Sequence, residues 1–279
     1  MRIITKELIE DFNKFLIEEE KSKNTTEKYC RDVSSFAEWL DGHELNKAVV
    51  LQYKSDIMER FAPASVNSII SSLNSFFSFV KWFDLKVKTL KIQRQIFLNK
   101  NKELTKSEYA RLLFAAKSKK NKRLYYLIQT ICSTGIRVSE LKSITIEAVN
   151  QGQAVINCKG KMRLVLLPKD LCKMLKSYAK KHKIVSGPIF ISRNKNPLDR
   201  SHIWKMLKSL CTDAGVLSSK VFPHNLRHLF ARTFYSLQKD IVRLADILGH
   251  SSINTTRIYT VETGETHLKQ IQRLGLLFT

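Results

Sequence analysis

The sequence predicts a mainly α-helical protein with a small antiparallel β-sheet, an α+β chain. Apolar residues recur at helical spacing through most of the 279 residues. Residues 154–168 differ, because two aliphatic runs there flank a glycine, as in a β-hairpin. The helical period is lost over 86–103. We therefore predict two domains, 1–85 and 104–279, joined by a basic linker at 86–103.

Four amphipathic helices are predicted in the first domain, and four helices of this length form a small bundle. Thr5 and Asn24 are candidate N-caps of the first two helices, and Pro63 opens the fourth. The polar face of the fourth helix carries short hydrogen-bonding side chains, which we expect to be exposed: Ser65, Asn67, Ser68, Ser71, Ser72, Asn74 and Ser75. Such a face is either a solvated surface or a surface that approaches nucleic acid.

The linker is predicted to be exposed, since its apolar residues lack a period and cationic side chains dominate it. Its basic residues include Lys86, Lys88, Lys91, Arg94 and Lys100. They fit either a segment that lies near a phosphate backbone or a solvated run of charge.

The second domain opens at a capping box, Thr105 to Glu108. A strongly apolar helix follows from Leu124 to Cys132 and ends at Gly135. A short helix after Arg137 and the hairpin come next. Helices are then predicted at 169–183 and 199–214, with a short strand-like segment, GPIFIS, between them.

The charge of the chain favours a polyanionic partner. Lys and Arg number 48 against 25 Asp and Glu, a net charge of +23. Membrane surfaces are also anionic, so charge alone does not choose between nucleic acid and a membrane. No run of eighteen apolar residues occurs and the N-terminal stretch lacks a signal-like apolar core, so we expect a cytoplasmic protein without membrane partners. The five cysteines have no paired metal-binding spacing and are expected to be reduced thiols.

Two histidines, an arginine and a tyrosine lie close together in the sequence near the C-terminus. His224 and Arg227 are one helical turn apart, so their polar groups should point the same way and bind an anion. His250 follows a helix-ending glycine, and Tyr259 lies nine residues further on. Any one of these residues alone is most simply structural, but the set is unusual.

Two upstream segments complete a recognisable pattern. Thr134-Gly135-Ile136-Arg137-Val138-Ser139-Glu140-Leu141 precedes the hairpin, and the hairpin turn carries Lys159. With the H-x-x-R and L-G-H-x8-Y segments, these resemble the active-site boxes of the tyrosine recombinase (phage integrase, Xer-type) family. The resemblance covers most of the chain. It implies a SAM-like core-binding domain of four helices followed by the catalytic domain.

The resemblance implies a role for each residue of the set. Tyr259 is the nucleophile that forms a covalent phosphotyrosyl link, and Arg137 and Arg227 clamp the phosphate in the transition state. His224 serves as a base or hydrogen-bond partner near Tyr259, and His250 donates to a phosphate oxygen. Glu140 is a supporting carboxylate. No cofactor and no metal are expected.

The identity of the general acid stays open between two lysines. The family's usual G-K-G-x-K-x-R pattern appears here as Cys158-Lys159-Gly160-Lys161-Met162-Arg163. Alignment through Lys-Gly gives the role to Lys159, which we prefer, and alignment through Lys-x-Arg gives it to Lys161. His228 follows Arg227 directly, and we expect it to point to another face of the helix and to be structural.

The resemblance also predicts partners. These are double-stranded DNA with an inverted-repeat recombination site and a homotetramer formed through a C-terminal docking tail, residues 264–279. The expected activity is site-specific recombination, in DNA integration and excision, inversion or chromosome resolution, in the cytoplasm at the nucleoid. The short region before Thr5 favours an Xer-like or small mobile-element enzyme. The alternatives are a catalytically silent DNA-binding or architectural protein and a type IB-like topoisomerase.

Overall fold

The computed structural model describes residues 2–92, 100–158, 161–260, 268 and 272–273. The chain divides into two compact units, Met1–Arg94 and Gln95–Thr279. Within the described part of the chain, none of the helices combines the length and apolar character that are needed to cross a bilayer.

The first unit contains four helices, as the sequence predicts. They are α1 (Lys6–Glu18), α2 (Lys23–Leu40), α3 (Lys47–Arg60) and α4 (Pro63–Phe79), followed by a 3-10 turn, Phe83–Leu85. Thr5 caps α1 through its hydroxyl, as predicted. The predicted cap of α2 is wrong: Ser22 has the extended backbone of an N-cap and accepts from Thr25 N, whereas Asn24 is already helical.

Aromatic side chains fill the core of this unit. Phe12, Phe36, Phe76 and Phe77 are fully buried, and the ring centroids of Phe12 and Phe76 lie 5.3 Å apart in an edge-to-face arrangement. The apolar stripes of α1, α2 and α4 therefore meet in one cluster, which is what their periodic spacing predicts.

The polar face of α4 is not a free surface. Asn67 bonds the backbone N and O of Leu90 (2.6 and 2.9 Å), and Asn74 does the same for Val87 (3.0 and 2.8 Å). The two amides lie two helical turns apart, so together they hold a passing strand of chain by its backbone. Val87 is only 6% exposed as a result, which corrects the expectation that the whole of 86–103 is exposed.

A second part of that face is also used inside the unit. Ser72 is fully buried and its hydroxyl donates to Asp32 Oδ2 at 2.7 Å. Ser65 and Ser71 remain exposed.

The second unit is built from nine helices and one hairpin among the described residues. They are α5 (Lys106–Ser118), α6 (Lys122–Thr134), α7 (Ile146–Gln151), β1 (Gln153–Cys158), β2 (Lys161–Leu166), α8 (Lys169–Lys181), α9 (Arg200–Lys208), α10 (Cys211–Ala214), α11 (Pro223–Gln238), α12 (Ile241–Leu248) and α13 (Ile253–Thr256). Short 3-10 segments lie at Lys100–Lys102, Val138–Ser143, Ser218–Lys220 and Arg257–Tyr259.

Several local predictions for this unit are confirmed and two are corrected. The capping box forms, with Thr105 N donating to Glu108 at 2.8 Å and Glu108 N donating to the Thr105 hydroxyl at 3.1 Å. Gly135 ends α6 with φ +64. The predicted helix at 199–214 is two helices, α9 and α10. The GPIFIS segment makes only isolated bridges, at Pro188 and Ile191, and is not a strand.

The hairpin is antiparallel, as predicted, with Ile156 opposite Arg163 and Cys158 opposite Lys161. Alternate residues of β2 face the core, so Val165 is 3% exposed while Met162 and Leu164 lie outside. Arg163 shares the inward face with Val165. The Arg163 guanidinium thus points into the unit from the face of β2 that otherwise carries core side chains.

Candidate active site

Arg227 lies at the centre of the candidate site, on the second turn of α11. It is 2% exposed. Its guanidinium donates to Gly135 O at 2.6 Å and to Leu248 O at 2.8 Å, and Nη2 lies 3.0 Å from His250 Nε2. One buried side chain therefore ties together the C-terminal ends of α6 and α12.

The hydrogen-bond partners of Arg227 are uncharged. Among the described residues no carboxylate lies within ion-pair distance of this guanidinium, although burying an unpaired charge is costly. Burial, followed by the nearby charge of Arg137, lowers the pKa of Arg227 to about 10, so the group is still protonated at neutral pH. The site consequently holds a buried positive charge that no carboxylate of the described residues neutralises.

Arg137 reaches the same place from the start of the Val138–Ser143 turn. Its Nη2 donates to Gly249 O at 3.1 Å, and its backbone N and Nη1 both donate to Glu140 at 2.9 Å. The Arg137 side chain is 38% exposed and Glu140 is 5% exposed. Arg137 is thus the solvent-accessible arginine of the pair, and Arg227 is the buried arginine.

Glu140 organises the surroundings of Arg137. Besides Arg137 it accepts from Arg163 Nη2 at 2.5 Å. Burial raises the pKa of this carboxyl, but the hydrogen bonds from Arg137 and Arg163 outweigh it, so that the pKa lies below its ordinary value. Glu140 is ionised at neutral pH and braces two arginines.

Arg163 is a site residue to which the sequence analysis gave no role. From β2 its Nη1 donates to Ile247 O at 2.9 Å, and its side chain runs under Gly249. A Cβ on Gly249 would lie 2.2 Å from Arg163 Cδ. The glycine before His250 is therefore required both by its φ of +62 and by the guanidinium beneath it.

His250 is held by two hydrogen bonds. Nε2 accepts from Arg227, and Nδ1 lies 2.8 Å from the hydroxyl of Thr256, which is fully buried. Burial and the charges of Arg227, Arg137 and Arg163 lower the pKa of His250 to about 4. The ring is therefore neutral at pH 7, with its proton on Nδ1 in this arrangement.

Tyr259 lies at the end of the Arg257–Tyr259 turn and is 3% exposed. Its ring packs with Ala231, Leu244 and Leu248 and lies 6.1 Å from the His250 ring, centroid to centroid. Burial raises the pKa of Tyr259, while the charge of Arg227 and its hydrogen bonding to the phenol offset part of that rise. The phenol is thus already inside the site of its own chain.

Two histidines on α11 lie on the other side of the tyrosine. His228 stands at right angles to Tyr259 with the ring centroids 4.9 Å apart, and the His224 ring is 4.4 Å from that of His228. The expectation that His228 points to another face is wrong. His224 is an exposed residue, yet partial desolvation and the charges of His228, Arg227, Arg137 and Arg200 lower its pKa to about 4.

The two lysines that are candidates for the general acid lie at the hairpin turn. Lys159 lies outside the described residues, as does Gly160. The backbone of Lys161 begins β2 opposite Cys158, and its side chain is likewise outside the described part. The choice of Lys159 over Lys161 as the general acid therefore stays a prediction.

Comparison with known proteins assigns the fold. Residues 9–83 match the model of the phage integrase N-terminal SAM-like domain, and residues 102–265 match that of the phage integrase family. The chain belongs to the phage integrase family. The tyrosine recombinase XerA of Pyrococcus furiosus is 30% identical to this integrase-family chain, an alignment covering 99% of the chain and 96% of the relative.

Solved structures share the integrase fold. The XerH site-specific recombinase bound to difH substrate, in a pre-cleavage complex, matches with a TM-score of 0.71 at 20% identity, over 92% of this chain and 82% of that one. A lambda integrase tetramer bound to a Holliday junction matches with a TM-score of 0.70 at 18% identity, over 91% and 76%.

The integrase-family site contains residues that sequence reasoning missed, and for different reasons. Arg163 could have been found from the sequence pattern, since it is a charged residue at an inward position of an aliphatic strand. No sequence pattern marks Thr256 or Glu103, because only the fold brings Thr256 to His250 and Glu103 to His228. His228 was misplaced because α11 carries site residues over more than one of its faces.

A glycine substitution tests the packing of Arg163 under residue 249. Gly249→Ala and Gly152→Ala both force alanine into left-handed backbone, at about 1–2 kcal/mol each, but only Gly249 has a side chain in the way. We expect Gly249→Ala to lower the free energy of unfolding further, because a displaced Arg163 loses charged hydrogen bonds of about 1.5–3 kcal/mol each. Urea unfolding followed by circular dichroism measures the difference. Equal losses in the two variants would contradict the packing described.

Proposed function

We propose that this chain is a site-specific DNA recombinase that cleaves and rejoins DNA strands through a 3′-phosphotyrosyl intermediate on Tyr259. The family and the Xer-type relatives support recombination as the activity. The observation that carries the assignment of residues is the Arg227 guanidinium, which is buried beside the Tyr259 phenol and has no carboxylate within ion-pair distance among the described residues. A phosphodiester is the anion that such a pair would accept.

The proposed attack begins with Tyr259. A phenol has an ordinary pKa near 10, and burial raises that of Tyr259 further, so the protein must remove the proton as the bond to phosphorus forms. The product is a phosphate ester of a good leaving group. Religation by the free 5′ hydroxyl therefore needs no external energy source.

Arg137 and Arg227 are proposed to hold the phosphate. In the transition state the non-bridging oxygens gain negative charge, and fixed guanidinium donors stabilise them without reorganisation. Arg227 is fixed by Gly135 O and Leu248 O, and Arg137 by Glu140, which is the proposed supporting role of that carboxylate.

The histidines take secondary roles in this proposal. His224 is proposed as a base or hydrogen-bond partner near Tyr259, and His250 as a donor to a phosphate oxygen. His250 Nε2 accepts from Arg227, so the proposed donation requires Arg227 to turn toward the phosphate or the ring to gain a proton.

Double-stranded DNA is the partner, and the net charge of +23 and the recombinase–DNA complexes among the structural neighbours support this. We propose an inverted-repeat site, a homotetramer on it as for the lambda integrase tetramer, and action in the cytoplasm at the nucleoid. A catalytically silent architectural protein or a topoisomerase is disfavoured, since the residues of all four boxes are present and the relatives are recombinases.

A suicide substrate tests the nucleophile. We expect the wild-type chain, given a recombination site nicked next to the cleavage position, to form a covalent adduct that survives denaturant, because the short leaving strand diffuses away. Tyr259→Phe should bind the same DNA and form no adduct. Gel electrophoresis under denaturing conditions measures it.

The matched control is Tyr125→Phe, a tyrosine of the same unit that packs against the main core away from the arginines. It should form the adduct at the wild-type rate. Adduct formation by Tyr259→Phe would show that the nucleophile is another residue.

Single alanine substitutions distinguish which hairpin lysine is the general acid. We propose Lys159 as the general acid for the departing 5′ oxygen, with Lys161 as the alternative. Lys159→Ala should slow single-turnover cleavage by about 100-fold or more, since general acids contribute roughly that factor, and Lys161→Ala should not. A substrate with a 5′-bridging sulfur, which leaves without a proton, should restore Lys159→Ala. The opposite pattern would assign the role to Lys161.

The C-terminal tail is proposed to dock on a neighbouring protomer. Residues 264–279 lie outside the described residues except at positions 268, 272 and 273, so the proposal rests on the six apolar side chains in that stretch: Leu268, Ile271, Leu274, Leu276, Leu277 and Phe278. Deletion of 264–279 should spare DNA binding and abolish strand exchange, measured on a two-site plasmid. A deletion variant that recombines normally would refute the docking role.

A further inference from the structure

His228 packs against the Tyr259 ring, and the proposed mechanism leaves it unused. The two rings are perpendicular, at 89°, with centroids 4.9 Å apart. His228 is largely buried, with 18% of its side chain exposed. An imidazole in direct contact with a buried phenol is a candidate for handling the phenol proton.

The two ring nitrogens of His228 have different surroundings. Nδ1 faces Glu103 Oε1 at 3.8 Å. Nε2 is buried and, among the described residues, has no hydrogen-bond partner. Buried polar atoms without a partner are rare in folded proteins and call for an explanation, such as a catalytic role.

Glu103 is held in place to act on this ring. The Asn225 side chain bonds Lys102 O at 2.9 Å, and Leu104 is 2% exposed, so the chain is anchored on both sides of Glu103. Arg232 Nη1 lies 3.3 Å from Glu103 Oε2. The interaction with the His228 ring is the largest cause that lowers the pKa of Glu103, which is thus ionised at neutral pH.

A carboxylate at Nδ1 selects the tautomer with its proton on Nδ1 and leaves the lone pair on Nε2. The Tyr259 ring packs against this imidazole, so carboxylate, imidazole and phenol follow one another as in sites where a carboxylate orients a general base and stabilises its protonated form. His224, the other histidine of α11, lacks such a partner: cations surround it, and its pKa is lowered to about 4.

We propose that His228, oriented by Glu103, is the base that takes the phenol proton of Tyr259 during strand cleavage and returns it on religation. The O–H bond of Tyr259 breaks and its proton passes to Nε2 of His228. The phenolate oxygen forms the new bond to phosphorus, and the bond from phosphorus to the 5′ oxygen breaks, with that oxygen protonated by the hairpin lysine. The inference rests on the proposed function and assigns within it the base role that was open for His224.

The groups that face His228 determine how pH acts on it. They are Glu103 before α5, His224 and Arg232 on α11, and Tyr259 after α13. Glu103 favours the imidazolium, whereas Arg232 opposes it while itself pairing with Glu103. Removal of the Glu103 charge should therefore move the rise of the cleavage rate to lower pH and lower its plateau, because the protonated imidazole loses its counterion.

Single-turnover cleavage of the nicked substrate, measured from pH 5 to 9, tests the proposal. His228→Ala should cleave about 100-fold more slowly than wild type, in the range that general bases supply, with DNA affinity unchanged. Added imidazole should restore part of the rate, since it fills the space left by the side chain. Glu103→Gln should shift the pH profile as described.

His182→Ala is the control, because His182 also packs on a tyrosine of this unit, 4.4 Å from the Tyr178 ring, but outside the site. It should be unaffected. His228→Gln, which keeps a polar group near Nε2, guards against loss of folding and should bind DNA and cleave slowly. A wild-type rate and pH profile in both His228 variants, with adduct still formed, would overturn this inference alone. Absence of any wild-type adduct would overturn the proposed function and this inference together.

Discussion

The candidate site depends on one buried cation. Arg227 donates to the carbonyls that end α6 and α12, so the same guanidinium that would bind a phosphate also fixes the two backbone segments that carry Arg137 and His250. A buried guanidinium without an adjacent carboxylate is unfavourable by itself. Entry of an anion would offset that cost, which is the physical basis of the proposed phosphate site.

The other charged groups keep this cation free. Glu140 is a buried acid near Arg227, and its carboxylate is paired with Arg137 and Arg163. Glu103 is occupied by Arg232 and His228 on the far side of Tyr259. The two carboxylates therefore orient cationic and imidazole groups without neutralising Arg227. The backbone also makes space for these groups, because Gly249 has no side chain where Arg163 passes beneath it.

Much of this could be predicted from the sequence, and the failures have identifiable causes. Helical periodicity predicted the four-helix unit and the helix ends at Gly135, since burial of one face imposes that period. Periodicity could not predict that Asn67 and Asn74 hold residues 87–90, because amide side chains look the same whether they face water or a passing backbone. The site boxes came from the resemblance to a family. Glu103 and His228 required the fold itself, since no local pattern relates a residue before α5 to one on α11.

The central claim is that Arg137 and Arg227 enclose one scissile phosphate within reach of Tyr259. The most direct measurement is the structure of Tyr259→Phe bound to an intact recombination site. The account predicts that non-bridging oxygens of a single phosphate lie within hydrogen-bond distance of both guanidinium groups, with the ring of residue 259 facing the phosphorus. A phosphate held by other side chains, with Arg227 still bonded to Gly135, Leu248 and His250 and not to the phosphate, would contradict it.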